Sequence, residues 1–263
     1  MIKFRRYKDL VIELRTKATS DFWDSEWESH NNWIENVTLK GHKDMSLIKR
    51  ISKYIPLNGS VLEAGCGMGQ FVFGLHRAGY RAYGLDFARA TVQKLNSAVP
   101  ELDIRYGDVE RLPFDNNFFD AYYSGGLIEH FWSGYNPTLE EAHRVLKKDG
   151  LLVLSCPVMS KSKRKLMLRC AEYVSETEPE NFYQFYLDRE ELLESLTPSF
   201  EILEVHLENP LRDLVDTNPD RTILSKVYYS KTVLNRLLRK TVNRIFSNNE
   251  YYHHSVLILA RKR

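Results

Sequence analysis

Acidic side chains follow three short apolar segments in the first half of the chain. Glu63 ends the first segment and precedes the glycine loop GCGMG (residues 65–69), Asp86 ends the second, and Asp108 follows the third. A carboxylate at the end of a strand can accept hydrogen bonds from both hydroxyls of a ribose, and glycines allow a ligand to approach the backbone closely. The spacing predicts a nucleoside site, with Asp86 at the ribose and with Asp108 and the Val109 N–H at the base.

The glycine loop by itself is compatible with several kinds of turn. Its G-x-G-x-G spacing is one residue shorter than the G-x-G-x-x-G fingerprint of dinucleotide-binding loops, and no G-K-[S/T] follows, so a P-loop is excluded. A tight turn without a ligand remains an alternative for the loop, and an ordinary turn or cap role remains one for Asp108. The competing enzyme class is an NAD-dependent oxidoreductase on a Rossmann sheet, which the short glycine spacing and Asp108 disfavour.

The elements that position these residues are strands and helices in alternation. From residue 60 to about 156, short apolar runs alternate with helix-like stretches, which is typical of βαβ units and a parallel sheet. The prediction is an α/β fold, a single doubly wound domain of about seven strands. We expect strands at residues 61–63, 80–85, 103–106, 120–124, 151–155, 200–206 and 255–261, and helices at 70–77, 88–98, 139–146 and 188–196.

Three segments lie outside this alternating core. We expect residues 1–55 to form an N-terminal helical cap, and the domain of residues 56–263 to carry helical insertions at about 159–185 and 208–254. Segments of this kind usually cover the carboxyl edge of an open sheet, which is where ligands bind in such folds. The three segments therefore bear on whatever substrate accompanies the nucleoside.

Longer motifs join these features. The chain contains, in this order, VLEAGCGMG, YGLDF, GDVERLPFDNNFFDAYYSGGLIEHF and EEAHRVLKKDGLLVLSCP. These stretches resemble the successive motifs of class I S-adenosylmethionine-dependent methyltransferases, in particular the small-molecule subgroup that includes quinone methyltransferases. The resemblance covers about residues 58–157, with weaker support from YLDREELLESLTPSFEILEV and the terminal strand. It implies a seven-stranded sheet of order 3-2-1-4-5-7-6 with an antiparallel seventh strand, and S-adenosylmethionine as cofactor with S-adenosylhomocysteine as product.

The resemblance also implies a role for individual residues. It implies that Glu63, Gly65 and Gly67 flank the methionine part of the cofactor, and that Cys66 between them belongs to the cofactor-binding loop. Asp86 would hold the ribose, Phe87 would lie against the adenine ring, and Asp108 and Val109 would meet the adenine edge. The backbone carbonyls of Ser124 and Gly125 would approach the methionine amino group. The cofactor is a zwitterion with a sulfonium and no phosphate. Acidic residues around the loop therefore suit it better than they would suit a dinucleotide.

Methyl transfer is an in-line displacement, so it depends mainly on holding the nucleophile close to the methyl group in a dry pocket. A general base is needed only where the acceptor must lose a proton. His130, in GGLIEHF, is the candidate base, with Glu129 beside it as the second candidate and a local structural role as the alternative. Trp23, Trp27 and Trp33 of the N-terminal segment are expected to pack a helix core, with a place in the pocket wall as the alternative.

The composition excludes several classes of protein. The chain has 263 residues, 43% of them hydrophobic, and a formal net charge of +2, which is globular and too mild to indicate nucleic acid. Its three cysteines have no C-x-x-C spacing, and the adjacent His253 and His254 lack a third ligand, so we expect no disulfide framework and no metal. Without a secretory signal pattern or a run of about 18 apolar residues, a cytoplasmic protein is expected.

A basic segment adds a question about partners. Residues 221–249 contain seven Lys or Arg and no acidic residue, with apolar residues near helical spacing. Basic amphipathic helices can bind anionic membranes or clasp acidic substrates. We favour the alternative of a lid helix with its apolar face on the domain, and keep peripheral membrane contact through residues 221–246 as a hypothesis. The expected acceptor is a small molecule, either amphiphilic or anionic. The non-enzymatic alternative is a scaffold that binds the cofactor without catalysis.

Overall fold

The described chain begins with a β-hairpin rather than a helix. A computed structural model describes residues 3–30, 45–218, 225–226, 228–230 and 232–263. Its first elements are β1 (Lys3–Tyr7), β2 (Leu10–Leu14), α1 (Ser20–Glu28) and α2 (Met45–Ile51). The predicted helical cap is therefore only partly helical. The reason lies in β2, whose sequence LVIEL is rich in apolar and β-branched residues and whose last four side chains are buried.

The central part of the chain forms the predicted alternation of strands and helices. Its elements are β3 (Ser60–Ala64), α3 (Gln70–Arg77), β4 (Arg81–Asp86), α4 (Arg89–Ala98), β5 (Asp103–Tyr106), β6 (Phe119–Gly125), α5 (Asn136–Val145) and β7 (Leu146–Pro157). The remaining elements are α6 (Lys161–Met167), β8 (Phe182–Tyr186), α7 (Arg189–Leu196), β9 (Phe200–Glu208), α8 (Pro210–Thr217), α9 (Val233–Ile245) and β10 (Ser255–Lys262).

Seven strands form one sheet in the order β5-β4-β3-β6-β7-β10-β9. The strands from β3 to β7 pair in parallel, whereas β10 pairs antiparallel with both β7 and β9. Numbered along the chain, this is the order 3-2-1-4-5-7-6 with an antiparallel seventh strand, which confirms the prediction. Because parallel strands share one carboxyl edge, the residues that end β3, β4 and β6 meet there.

Helices cover both faces of this sheet. In β7, Leu152 and Leu154 pack into the cluster that contains α5 and α7, whereas Leu151 and Val153 pack into the cluster that contains α2, α3 and α4. Successive strand residues point to opposite faces, so a strand buried on both faces is a continuous apolar run. The apolar runs in the sequence therefore mark the interior strands of a doubly wound domain.

A second, three-stranded sheet joins the N-terminal hairpin to the first insertion. It has the order β1-β2-β8, and β2 pairs antiparallel with β8 so that Val11 lies opposite Tyr186. The insertion predicted as helical at 159–185 contains α6 but ends in a strand, because FYQFY is an aromatic-rich segment whose five side chains are all buried. The predicted domain boundaries themselves remain predictions.

The two insertions are tied together by a buried ion pair. Lys163 of α6 contacts Asp213 of α8, and the two side chains are 1% and 0% exposed. Ser160 and Ser162 donate hydrogen bonds to the same carboxylate, and the Lys163 ammonium lies 4.6 Å from the centre of the Tyr186 ring. A buried pair of this kind is costly to break, because either charge alone is left without compensation. It fixes α6 and α8 next to β8.

The lid arrangement favoured for residues 221–249 is wrong for α9. No residue of α9 is buried, and its apolar side chains other than Val242 are exposed. The side chains that face the rest of the chain are mostly polar, among them Arg239, whose guanidinium donates to the Ser230 carbonyl over 2.7 Å. No helix in the described ranges is both long and apolar enough to span a bilayer.

Candidate active site

A cavity of about 400 Å³ opens at the carboxyl edge of β3, β4 and β6. All the site residues predicted from the sequence line it except Ser124, which lies buried in β6, and Glu129, the second candidate base. The lining residues that the sequence analysis did not assign to the site include Met68, Gln70, Phe71, Gly107, Tyr123, Gly126, Leu127 and Phe131. Several of these are immediate neighbours of the predicted ones, so proximity along the chain was the signal that could have found them.

The glycine loop forms the floor of this cavity. Gly65, Gly67 and Gly69 all have positive φ angles, of 74°, 48° and 67°. A Cβ atom at Gly67 would lie 3.0 Å from the Trp27 ring, and one at Gly65 would lie 3.1 Å from a methyl of Leu127. The loop therefore needs glycine both for its backbone conformation and for the close approach of α1.

Asp86 joins this loop to the start of α4. Its carboxylate accepts a hydrogen bond from the Gly67 N–H over 2.7 Å and one from the Ala88 N–H over 2.9 Å. The side chain is buried, and burial raises the pKa of Asp86 above its usual value although the backbone hydrogen bonds lower it. Each carboxylate oxygen can accept more than one hydrogen bond, so both retain acceptor capacity towards the cavity.

Glu63 and Cys66 sit on the inner side of the loop. The Val72 N–H donates to the Glu63 carboxylate over 3.2 Å, and burial, with the nearby charge of Asp86, raises the pKa of Glu63 well above its usual value. Burial likewise raises the pKa of the Cys66 thiol well above its usual value. The thiol therefore stays protonated at neutral pH, which is not the state of a nucleophile.

The charges that line the cavity have one sign. Glu63, Asp86 and Asp108 contribute carboxyl groups, and none of the described lining residues is Lys or Arg. A pyrophosphate would meet no cation here, whereas a positively charged ligand would relieve the mutual repulsion of the carboxylates. The cavity is thus suited to a cationic or zwitterionic ligand.

Asp108 and Phe87 lie at the opening. The Glu110 N–H donates to the Asp108 carboxylate over 2.9 Å, so Asp108 makes the local turn that was the alternative for it while also lining the cavity. Phe87 is 38% exposed, and its carbonyl accepts a hydrogen bond from the Ser20 hydroxyl over 2.8 Å. Val109 beside them is buried. A flat ring could therefore enter between Phe87 and Val109.

Helix α1 covers the cavity. Trp23 and Trp27 line it, and their rings are stacked with centres 5.1 Å apart. The expectation that these tryptophans pack a helix core is wrong, because α1 has no buried residue and both rings line the cavity. Trp33 lies outside the described residues.

The helix is held in place by a cap in trans that the sequence analysis missed. The Asp24 carboxylate of α1 accepts hydrogen bonds from the N–H groups of Ala90 and Thr91, over 3.1 and 2.8 Å, and from the Thr91 hydroxyl over 2.7 Å. These N–H groups belong to the first turn of α4, which has no side-chain cap of its own. A carboxylate there satisfies free donors and complements the helix dipole.

A second cavity of about 290 Å³ adjoins the first and shares Trp23, Gly126 and His130 with it. Its other lining residues are Glu129, Ser155, Cys156, Pro157, Tyr183, Gln184, His254 and Ser255. Several of these come from β8 and from the end of the 208–254 insertion. The described residues contain no group of three or more His, Cys, Asp or Glu side chains placed to hold a metal ion.

His130 stands between the two cavities in its neutral form. Its Nδ1 lies 2.5 Å from the Tyr183 carbonyl oxygen, so Nδ1 carries the proton and Nε2 keeps its lone pair. Burial lowers the pKa of His130 to about 4. At neutral pH the ring is therefore an acceptor of hydrogen bonds at Nε2, and a weak base.

Glu129 is buried beside it. One of its carboxyl oxygens, Oε1, lies 4.0 Å from His130 Nε2, and the other, Oε2, has no hydrogen-bond partner among the described residues. Burial raises the pKa of Glu129 to about 8. Glu129 lines the second cavity, and a buried carboxyl group with an unpartnered oxygen and a raised pKa is a candidate functional group.

Known methyltransferases resemble this chain in sequence. Residues 62–154 match the family model described as a methyltransferase domain. A probable S-adenosylmethionine-dependent methyltransferase of Mycolicibacterium smegmatis is 35% identical over 97 residues, 37% of each chain. A malonyl-[acyl-carrier protein] O-methyltransferase of Buchnera aphidicola is 33% identical over 124 residues, 43% of this chain and 49% of that one. The chain thus spans less than half the length of these curated relatives.

A solved structure extends the comparison to the whole fold. The geranyl diphosphate C-methyltransferase of Streptomyces coelicolor, crystallised with Mg²⁺, geranyl diphosphate and S-adenosyl-L-homocysteine, superposes with a TM-score of 0.55 at 15% identity. The alignment covers 94% of this chain and 100% of that one.

Residues 62–154 thus match a methyltransferase domain, and the sheet order and motif positions are those implied by the resemblance to the class I S-adenosylmethionine-dependent methyltransferases. The resemblance to the quinone methyltransferases within that class remains a prediction.

The cap on α4 gives a first test. Asp24→Ala should release α1 from α4 and weaken S-adenosylhomocysteine binding by about fivefold, the equivalent of a lost cap of about 1 kcal/mol. Isothermal titration calorimetry measures the affinity. The matched control is Asp21→Ala, which removes the same charge from an exposed position on the same helix. Equal affinities in the two variants would show that the cap does not hold the site together.

Proposed function

We propose that the chain transfers a methyl group from S-adenosylmethionine, bound in the first cavity, to a small-molecule acceptor in the second. The observation that carries the proposal is the first cavity itself, which has three carboxyl groups, a glycine floor and no cationic side chain among its described lining residues. An NAD-dependent oxidoreductase is disfavoured, because the three carboxyl groups would repel a dinucleotide pyrophosphate.

The residues present fit the cofactor. Asp86 retains acceptor capacity for the two ribose hydroxyls, and Phe87 is exposed where the adenine would lie. Asp108 and the Val109 N–H would meet the adenine edge. Glu63, Gly65, Cys66, Gly67 and the Gly125 carbonyl would surround the methionine part. Ser124 does not line the cavity, so its predicted contact with the amino group is the weakest of the set.

When bound, S-adenosylmethionine supplies an electrophilic methyl group on a sulfonium. The chain's own contribution is then to hold an acceptor atom in line with that methyl group and to keep water away. Trp23 and Trp27 cover the first cavity, and Gly126 and His130 lie where the two cavities meet. The transfer would take place across this boundary.

Glu129 rather than His130 would be the general base that removes a proton from the acceptor. A general base works best when its pKa lies near the operating pH, and the pKa of Glu129 is about 8 whereas that of His130 is about 4. His130 Nε2 would accept a hydrogen bond from the acceptor and orient it. The ionised Glu129 would then take the proton at Oε2, its unpartnered oxygen.

An amphiphilic acceptor fits the second cavity best. Its wall combines the aromatic rings of Trp23 and Tyr183 with polar groups of Gln184 and His254. The similar C-methyltransferase binds geranyl diphosphate, which joins an apolar chain to a polar head. The acceptor proposed here has the same general character.

Calorimetric titration tests the cofactor assignment. Wild-type protein should bind S-adenosylhomocysteine and should not bind NADH. Asp86→Asn should lower the S-adenosylhomocysteine affinity by about 10- to 100-fold, because hydrogen bonds to a charged group contribute about 1.5–3 kcal/mol each. Asp103→Asn, at an exposed carboxylate paired with Arg105, is the control and should bind normally. NADH binding alone would overturn the proposal, and binding of neither ligand would favour a scaffold.

The pH dependence of stability tests the state of Glu129. The pKa of this acid is about 8 in the folded protein and near 4.5 in the unfolded chain, so the folded state binds the extra proton between those values. Stability should therefore fall as pH rises from about 5 to 8, by at most about 1.4 kcal/mol per pH unit, and level off above. In Glu129→Gln the part of this loss that comes from Glu129 should be absent, which leaves the smaller fall that Glu63 and Asp86 contribute. Urea unfolding at several pH values measures the free energy of unfolding of both proteins. The same fall with pH in both would refute the pKa assigned to Glu129.

A further inference from the structure

Helix α9 packs with its polar side inwards. Its least exposed side chains are Asn235, Arg239, Val242 and Asn243. The Leu211 N–H of α8 donates to the Asn243 side-chain oxygen over 3.5 Å, and Arg239 donates to the carbonyls of Tyr228 and Ser230. A surface helix of a globular protein ordinarily buries its apolar side, so this orientation is inverted.

The outward side of α9 is apolar. Val233, Leu234, Leu237, Leu238 and Ile245 are between 45% and 76% exposed, and Phe246, directly after the helix, is 46% exposed. At 3.6 residues per turn, the five helical positions occupy an arc of about 140°. Thr241 lies within this arc between Leu238 and Ile245, and an exposed, largely apolar stripe of this width marks an interaction site.

Exposed cations run along one edge of the stripe. Arg236, Lys240 and Arg244 are spaced four residues apart, so they lie one above the other on the helix, next to Val233 and Leu237. The sequence from residue 221 to residue 249 contains no acidic residue. The exposed face of α9 therefore combines an apolar stripe with a row of positive charge.

We propose that this face of α9 docks on an anionic membrane surface. Its apolar stripe would enter the boundary between headgroups and acyl chains, and Arg236, Lys240 and Arg244 would contact the lipid phosphates. A second copy of the chain is a poorer occupant. Two such faces would bring two rows of cations together, and their own segments offer no acidic residue to compensate them.

The position of α9 relates the proposed membrane contact to the second cavity. The helix lies between the end of β9 and the start of β10, and both points are at the carboxyl edge of the sheet. His254 and Ser255, where the chain returns to the sheet, line the second cavity. If the proposed function holds, an amphiphilic acceptor dissolved in the bilayer would reach that cavity from the same side. The docking itself does not depend on the methyl transfer.

Vesicle sedimentation with the full chain tests the proposal. Wild-type protein should sediment with vesicles of equal parts phosphatidylcholine and phosphatidylserine, and far less with phosphatidylcholine alone. Replacing Arg236, Lys240 and Arg244 by Gln should lower the partition onto the anionic vesicles by about tenfold or more. Leu234→Ser with Leu238→Ser should abolish it, since the apolar anchor is lost. Added salt should weaken binding of the wild-type protein.

Matched controls distinguish docking through α9 from nonspecific attraction by the protein's overall positive charge and from misfolding of the variants. Replacing the exposed Lys49, Lys53 and Arg81 by Gln removes the same charge elsewhere and should leave sedimentation within about twofold. All variants should keep the circular dichroism spectrum and S-adenosylhomocysteine affinity of the wild type. Equal loss in both triple variants would overturn the proposal, as would absence of binding to either vesicle. A concentration-dependent dimer that Leu234→Ser with Leu238→Ser abolishes would assign the face to a second copy instead.

Discussion

The Asp86 carboxylate accepts hydrogen bonds from the backbone N–H of Gly67 and from that of Ala88, so one side chain joins the glycine loop to the turn that begins α4. Both loops end parallel strands of the same sheet, and their separation defines the first cavity. The arrangement has an electrostatic cost, because burial raises the pKa of Asp86 and of the neighbouring Glu63. A ligand that carries positive charge offsets that cost, which links the fold of the loop to the kind of molecule it holds.

The N-terminal segment belongs to the same site although it is distant in sequence. Asp24 caps α4 directly after the turn that Asp86 organises, and Ser20 donates to the Phe87 carbonyl. These contacts bring Trp27 against Gly67, where no side chain larger than hydrogen fits without displacement. Ligand binding and the docking of α1 on α4 are thus coupled. A bound ligand should stabilise the docked helix, and the docked helix should strengthen ligand binding to the same extent.

The sequence was sufficient for the main sheet because its signals are local. The apolar runs, the glycines and the acids at the strand ends lie within a few residues of the positions they specify, whereas the strand order was implied by the family resemblance that the motifs carry. The three-stranded sheet was missed because Val11 and Tyr186 pair across a long separation that leaves no local pattern. The same holds for Asp24, whose partners are in another helix. For α9, periodicity shows that the helix has two faces but does not show which face packs inwards, and the inward face here is the polar one.

The most direct test of the account is whether the first cavity distinguishes a sulfonium from a neutral thioether. S-adenosylmethionine and S-adenosylhomocysteine differ at that sulfur, and calorimetric titration of the wild-type protein and of Glu63→Gln with both ligands isolates the contribution of the Glu63 charge. Glu63→Gln should lower the affinity for S-adenosylmethionine more than the affinity for S-adenosylhomocysteine. An equal change for both ligands would show that the carboxyl groups do not act on the sulfonium, and would contradict the electrostatic basis of the site.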